Sequence, residues 1–258
     1  MRRLGRRTAA YEANIPTAIT GCCAWFASDL GVTTGTGGVA AWANQAPLTG
    51  SANDLVQSNS ANRPSFQAIG VDFPNSPGVR FQSANSDILL SGTNAFRTGT
   101  GGNITQATVA VVLKHTGTVS SAMAASWKAA SLPSSSGLEM YQSATTNTYV
   151  GFAAGNAGSG VTGATSALGV GSGTARLILV LGADATTVTL YQNGVAIGTT
   201  GDAGGNGLVL DGEEFSLGGR PNGSLFNDVS IAEVVCYNRA LTVSEIGSLD
   251  TYLQRHTV

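Results

Sequence analysis

Glycoside hydrolysis needs two carboxyl groups held across a sugar bond, one as acid and one as nucleophile or base. A strand carrying E-x-D-x-x-E is one sequence signature for them, its first two acids falling on one face of the strand. The chain has no such series; Asp211-Gly212-Glu213-Glu214 comes nearest. Asp211 and Glu213 have the spacing to share a face, but Gly212 between them marks a turn and no third acid follows. The two histidines, His115 and His256, fall at the end of an apolar run and in the closing helical segment, away from any nucleophile motif. A histidine in the last turn of a helix has a plain use, since a cation there complements the helix dipole. Cys22, Cys23 and Cys236 form no C-x-x-C pair and no Cys/His cluster, so zinc is not expected and the thiols are expected to be buried and free. No catalytic set, no metal and no cofactor are expected from these residues, and the chain is read as not an enzyme.

The elements that would carry any site are short strands. Ile231-Ala-Glu-Val-Val-Cys-Tyr237 is apolar on both faces apart from Glu233, which predicts a strand inside a layered sheet. Glu233 is expected to contact the following helix or to pair with Arg239. That helix has a full start signal: Thr242 as N-cap, Glu245 three residues on, and Leu241 and Ile246 as a hydrophobic staple. Ile246, Leu249 and Leu253 then recur on one face. Ala107 to Leu113 and Ala175 to Leu181 are continuous apolar runs, expected in the centre of a sheet. Asn193-Gly194 is the strongest hairpin signal, because both central positions of a type I′ turn need positive φ. Gly31 to Gly38 is expected to be a loop, and 153–173 loops around a weak edge strand. About a dozen short strands suit a sandwich. Trp25 and Trp42, with apolar neighbours, are expected in the core rather than as sugar-stacking platforms.

Ala24-Trp-Phe-Ala-Ser-Asp29, Val39-Ala-Ala-Trp42, Arg63-Pro-Ser-Phe66, Val79-Arg-Phe81, the "LYQNGVAIG" hairpin and the closing "YNRAL…SEI…YL" occur in order. This series resembles the concanavalin A-like, laminin-G-like jelly roll, in the form found in bacteriophage virion surface proteins. The resemblance implies an all-β fold: a two-sheet antiparallel jelly-roll sandwich with one short C-terminal helix, over residues 21–258. It also implies a calcium ion on a loop rim as an option, for which Asp184, Asp202, Asp211 and Asp228 are the loop carboxylates, with no D-x-D-x-D-G series to arrange them.

Residues 1–20 are expected to be a separate arm. Arg2, Arg3, Arg6 and Arg7 supply four of the chain's 13 basic residues, and the polar, Pro16-broken sequence after them does not continue as a signal peptide. We read these arginines as a partner-binding anchor. A net charge of −2 with only 11% charged residues gives no general attraction to nucleic acid or anionic membrane. The expected role is therefore a structural virion protein: a capsid decoration, head-fibre or tail accessory subunit. It would be assembled in the host cytoplasm, homo-oligomeric, bound to other virion proteins, and able to adsorb to glycans. A soluble carbohydrate-binding module or lectin is the alternative.

Overall fold

The structure, a computed structural model, describes residues 16–46, 53–92, 105–117, 122–128, 137–142, 149–154, 160–165, 173–182, 187–200 and 214–257. Arg2, Arg3, Arg6 and Arg7, together with Asp184, Asp202, Asp211 and Glu213, lie outside the described residues. Seventeen strands and one α-helix are described, and they form two antiparallel sheets.

Sheet A has eight strands in the order β15-β14-β13-β8-β17-β6-β5. These are β15 (Val195–Thr200), β14 (Val188–Gln192), β13 (Ala175–Leu181), β8 (Ala107–His115), β17 (Val229–Tyr237), β6 (Gly78–Phe81) and β5 (Ser65–Gln67). The eighth, β1 (Cys22–Ala27), pairs with β17 on the edge that β6 uses further back along the strand. Sheet B has nine strands in the order β12-β11-β10-β9-β16-β7-β4-β3-β2. They are β12 (Gly160–Thr165), β11 (Tyr149–Ala154), β10 (Gly137–Gln142), β9 (Ala122–Lys128), β16 (Glu214–Leu217), β7 (Leu89–Leu90), β4 (Leu55–Val56), β3 (Gly38–Trp42) and β2 (Val32–Gly35). This is a jelly-roll sandwich, as expected. Gly31 to Gly38 departs from the expected loop: Val32 to Gly35 pairs with β3, since Val and two Thr favour the extended backbone. The Asn193-Gly194 turn has φ of 50° and 79°, and it joins β14 to β15 as expected.

Two cores result. Alternate residues of the sheets, among them Trp42, Phe26, Phe81, Trp127, Phe215 and Leu179, fill the space between the sheets. Trp42 is fully buried, so it belongs to the core. The other face of sheet A is covered by helix α1 (Val243–Leu253), whose Ile246, Leu249 and Leu253 pack on Ala110, Val112, Ile178, Val180 and Val235. This explains why β8, β13 and β17 are apolar on both faces: each has a core above and below. The capping box forms in full, with Thr242 Oγ1 accepting from the Glu245 N–H and the Glu245 carboxylate accepting from the Thr242 N–H. Arg176 of β13 then clasps Asp250 of α1 through two hydrogen bonds of 2.7 and 3.1 Å. All three cysteines are free and buried, and burial pushes the Cys22 thiol up to about 12.

Candidate functional site

The most concentrated polar chemistry among the described residues centres on Glu233. Pairing of β17 with β8 slips between Ile231 and Glu233, a bulge that turns Glu233 to the helix-covered face. There its carboxylate is fully buried. Trp25 Nε1 donates to Oε1 at 2.6 Å, and Arg255 donates to Oε2 from Nη2 at 2.8 Å and from Nε at 3.2 Å. His256 Nε2 also meets Oε2, while His256 Nδ1 reaches Ser76 Oγ at 2.7 Å. Burial opposes ionisation of Glu233 most strongly. The hydrogen bond from His256 and the charges of Arg255 and His256 together outweigh it and hold the carboxyl below its ordinary range. Of the two alternatives expected for Glu233, contact with the C-terminal helical segment holds, through Arg255 and His256. The pairing with Arg239 does not form, because Arg239 binds Glu245 at 2.5 and 3.0 Å. His256 follows α1 in a short 3-10 turn, where it is 1% exposed and engaged by Glu233 and Ser76.

This cluster has one arm toward the surface. Arg255 Nη1 lies 3.5 Å from Asp29 Oδ2, and Asp29 stands on the rim of a groove of about 780 Å³. The groove occupies the seam where the edge strand β2 of one sheet faces the edge strand β5 of the other. At the opposite seam, β12 and β15 lie against each other. Val32, Thr34, Phe66, Ile69 and Pro77 line the groove with Asp29. Phe66 is 42% exposed, and it is the only exposed aromatic ring among the residues whose side chains are described. With Ile69 at 64% and Val71 at 51%, it makes an apolar patch of the kind that marks a binding surface. The sequence offered a faint cue in "RPSF", but nothing in it told an exposed Phe66 from a core one. Trp42 lies in the core as expected, and Trp25 is half-buried with its indole N–H committed to Glu233; the exposed ring at the groove is Phe66.

A second polar cluster sits at one end of the sandwich. Asp228 Oδ1 accepts from the Ser83 N–H at 2.7 Å and Asp87 Oδ2 from the Gln82 N–H at 3.0 Å. The outer oxygens Asp87 Oδ1, Gln142 Oε1 and Asn227 Oδ1 are buried without a partner. Burial pushes the Asp87 carboxyl up to about 6, against the Gln82 hydrogen bond and with help from the Asp228 charge. Of the four aspartates weighed for calcium, only Asp228 is described, and among the described residues no group of three or more His, Cys, Asp or Glu is placed to hold a metal. A testable consequence concerns pH. The folded pKa of Asp87 lies above its unfolded value near 3.9, so its favourable contribution exists below about pH 4 and is lost as pH rises through about 6. Asp87→Asn should therefore gain about 1–2 kcal/mol at pH 7 and nothing at pH 4, read by urea unfolding at both values. Equal effects at the two pH values would sink this assignment.

Residues 90–247 match the concanavalin A-like lectin/glucanases superfamily. The chain belongs to that superfamily. No curated protein sequence matches it. Among solved structures it is similar to the Trypanosoma rangeli sialidase in complex with 2,3-difluorosialic acid, with TM-score 0.61 and 15% identity over 94% of this chain. This chain spans about a third of that one, 34%. Domain 4 of AbnA, a GH43 extracellular arabinanase from Geobacillus stearothermophilus, in complex with arabinotriose, aligns with TM-score 0.59 at 12% identity, covering 89% of this chain and 98% of that one. The binding domain of Paraclostridial Mosquitocidal Protein 1 aligns with TM-score 0.51 at 13% identity over 78% of this chain and 50% of its own. These likenesses show a shared fold. They also correct the reading of the chain as not an enzyme: sialidases stand among its structural neighbours, and the fold is common to enzymes and binding domains. Missing motifs were too narrow a ground for that exclusion, because one fold hosts many activities and each rests on the residues of its own site.

Proposed function

We propose that this jelly roll binds carbohydrate, in the seam groove between β2 and β5. The observation that carries the reading is the exposed Phe66 ring in a groove rimmed by the Asp29 carboxylate. A sugar ring has an apolar face of C–H bonds and an edge of hydroxyls. An open aromatic ring takes the first and an acceptor-only carboxylate takes the second. Membership of a lectin-containing superfamily supports it, as does similarity to an arabinanase domain in complex with arabinotriose. Phe66→Ala should weaken oligosaccharide binding at least about tenfold, the loss of one aromatic stacking contact, while leaving the unfolding midpoint close to wild type because the ring is exposed. Calorimetric titration with arabino-, xylo- and cello-oligosaccharides reads this; binding unchanged in the variant would remove the groove from consideration.

The setting we propose is a phage virion surface, with residues 1–20 as the attaching arm, capsid or tail subunits as partners, and copies of the chain assembled side by side. Its support is the sequence: the ordered series of motifs and the cluster of Arg2, Arg3, Arg6 and Arg7. Deleting residues 2–7 should abolish co-sedimentation with purified particles and leave glycan binding intact. Retained co-sedimentation would count against the arm.

A further inference from the structure

Resting on the glycan reading of the groove, we infer that its ligand is a neutral sugar and that acidic sugars such as sialic or uronic acids are rejected. The reason is the distribution of charge around the groove. Asp29 is the one charged side chain among the described residues that line it. Arg255, the cation paired with Asp29, is not available to a ligand. Its Nε and Nη2 are spent on Glu233, its guanidinium lies 4.7 Å over the Tyr252 ring, and its side chain is only 12% exposed. Recognition of a sugar carboxylate calls for an exposed guanidinium presented as a fork. Here the fork points inward and an anion points outward.

Asp29 is held in that outward position. Arg255 Nη1 approaches Oδ2 at 3.5 Å, a loose ion pair, with the Asp29 side chain 35% exposed. Its carboxylate therefore keeps lone pairs free for hydroxyl donors, and two neighbouring sugar hydroxyls match its two oxygens. A ligand carboxylate in the same place would face a like charge with no donor between them, which disfavours it. Phe66 and Ile69 make the other wall apolar, so an acidic group turned away from Asp29 would instead be set against surface that offers it no donor. The charge around the groove opposes carrying a ligand over from the sialidases that share the fold.

Matched pairs test the inference on the intact chain: lactose against 3′-sialyllactose, and a xylo-oligosaccharide against its glucuronate-substituted form, titrated at low and moderate salt. The neutral member of a pair should bind at least about tenfold more tightly at low salt, and the gap should narrow as salt screens Asp29. Asp29→Asn should close the gap, and Asp29→Lys should turn preference toward the acidic member. Phe66→Ala should weaken both members alike. Equal or tighter binding of the acidic members, lost in Phe66→Ala, would overturn the charge selection and leave the glycan reading standing. No binding by any sugar in either pair, nor by the arabino-, xylo- and cello-oligosaccharides, would overturn the glycan reading and this inference with it.

Discussion

Glu233→Gln is expected to lower the free energy of unfolding by about 3–5 kcal/mol, the cost of breaking a buried ion pair from one side. Arg255 and His256 both converge on Glu233, and Trp25 donates to its second oxygen. Glutamine keeps the shape but removes the charge, and it offers an N–H₂ where an acceptor is required. Arg255 is then left at the helix end with only Asp29 as an anionic partner among the contacts described. The wild-type carboxyl is held below its usual range, so its stabilisation is present above the unfolded pKa near 4.3 and is lost as pH falls through the lower folded value. The loss caused by Glu233→Gln should thus be full at pH 7 and shrink in strong acid. Urea unfolding across that range measures it. The double variant Glu233→Gln with Arg255→Met should regain part of the loss, because the stranded cation is gone. A loss at pH 7 under 1 kcal/mol would show that the cluster is not the anchor described here. Ligand binding should weaken as well, since Arg255 steadies Asp29 on the groove rim.

Gly218→Ala is the second large effect, at about 4 kcal/mol from strain and overpacking combined. Gly218 has φ of +81°, and a Cβ there would stand 2.1 Å from Phe81 Cδ1 and 2.9 Å from the Asp87 carbonyl oxygen. Phe81 is fully buried between the sheets, so its ring has nowhere to retreat in a close-packed core. Gly218 also accepts from the Asn227 N–H at 2.8 Å, and a shift there would disturb the end of the sandwich that holds Asp87 and Asp228. Thermal and urea unfolding measure the loss. Adding Phe81→Leu should return some of it by making room for the methyl group, less the cost of the smaller core side chain. A wild-type midpoint in Gly218→Ala would contradict the packing.

The strands that dominate the fold were legible because their residues are locally unambiguous. Ala107 to Leu113, Ala175 to Leu181 and Ile231 to Tyr237 are apolar runs that only a strand with two covered faces would bury, and each is found in the middle of sheet A. The Asn193-Gly194 turn and the Thr242–Glu245 capping box are also local, since each depends on backbone within a few residues. The strand Ala122 to Lys128 was not anticipated, because AMAASW has little β-branched content and is held by neighbours on both sides. Strand β2 was missed for a similar reason, hidden among glycines and threonines.

For the candidate site the division is sharper. The core strands, the capped helix that covers sheet A and the burial of the thiols follow from periodicity and short-range chemistry in the chain alone. The jelly-roll class came from the resemblance that the ordered motifs carry. Long-range packing brings Glu233 to Trp25, 208 residues earlier, and to His256, 23 residues later; it also sets Asp87 near Asp228 and leaves Phe66 exposed in a seam with Asp29. Those are meetings between distant segments, fixed by a one-residue bulge in β17 and by which two edge strands are left facing each other. A shift of one residue in a strand reverses the face on which a side chain lies, so no local pattern encodes them.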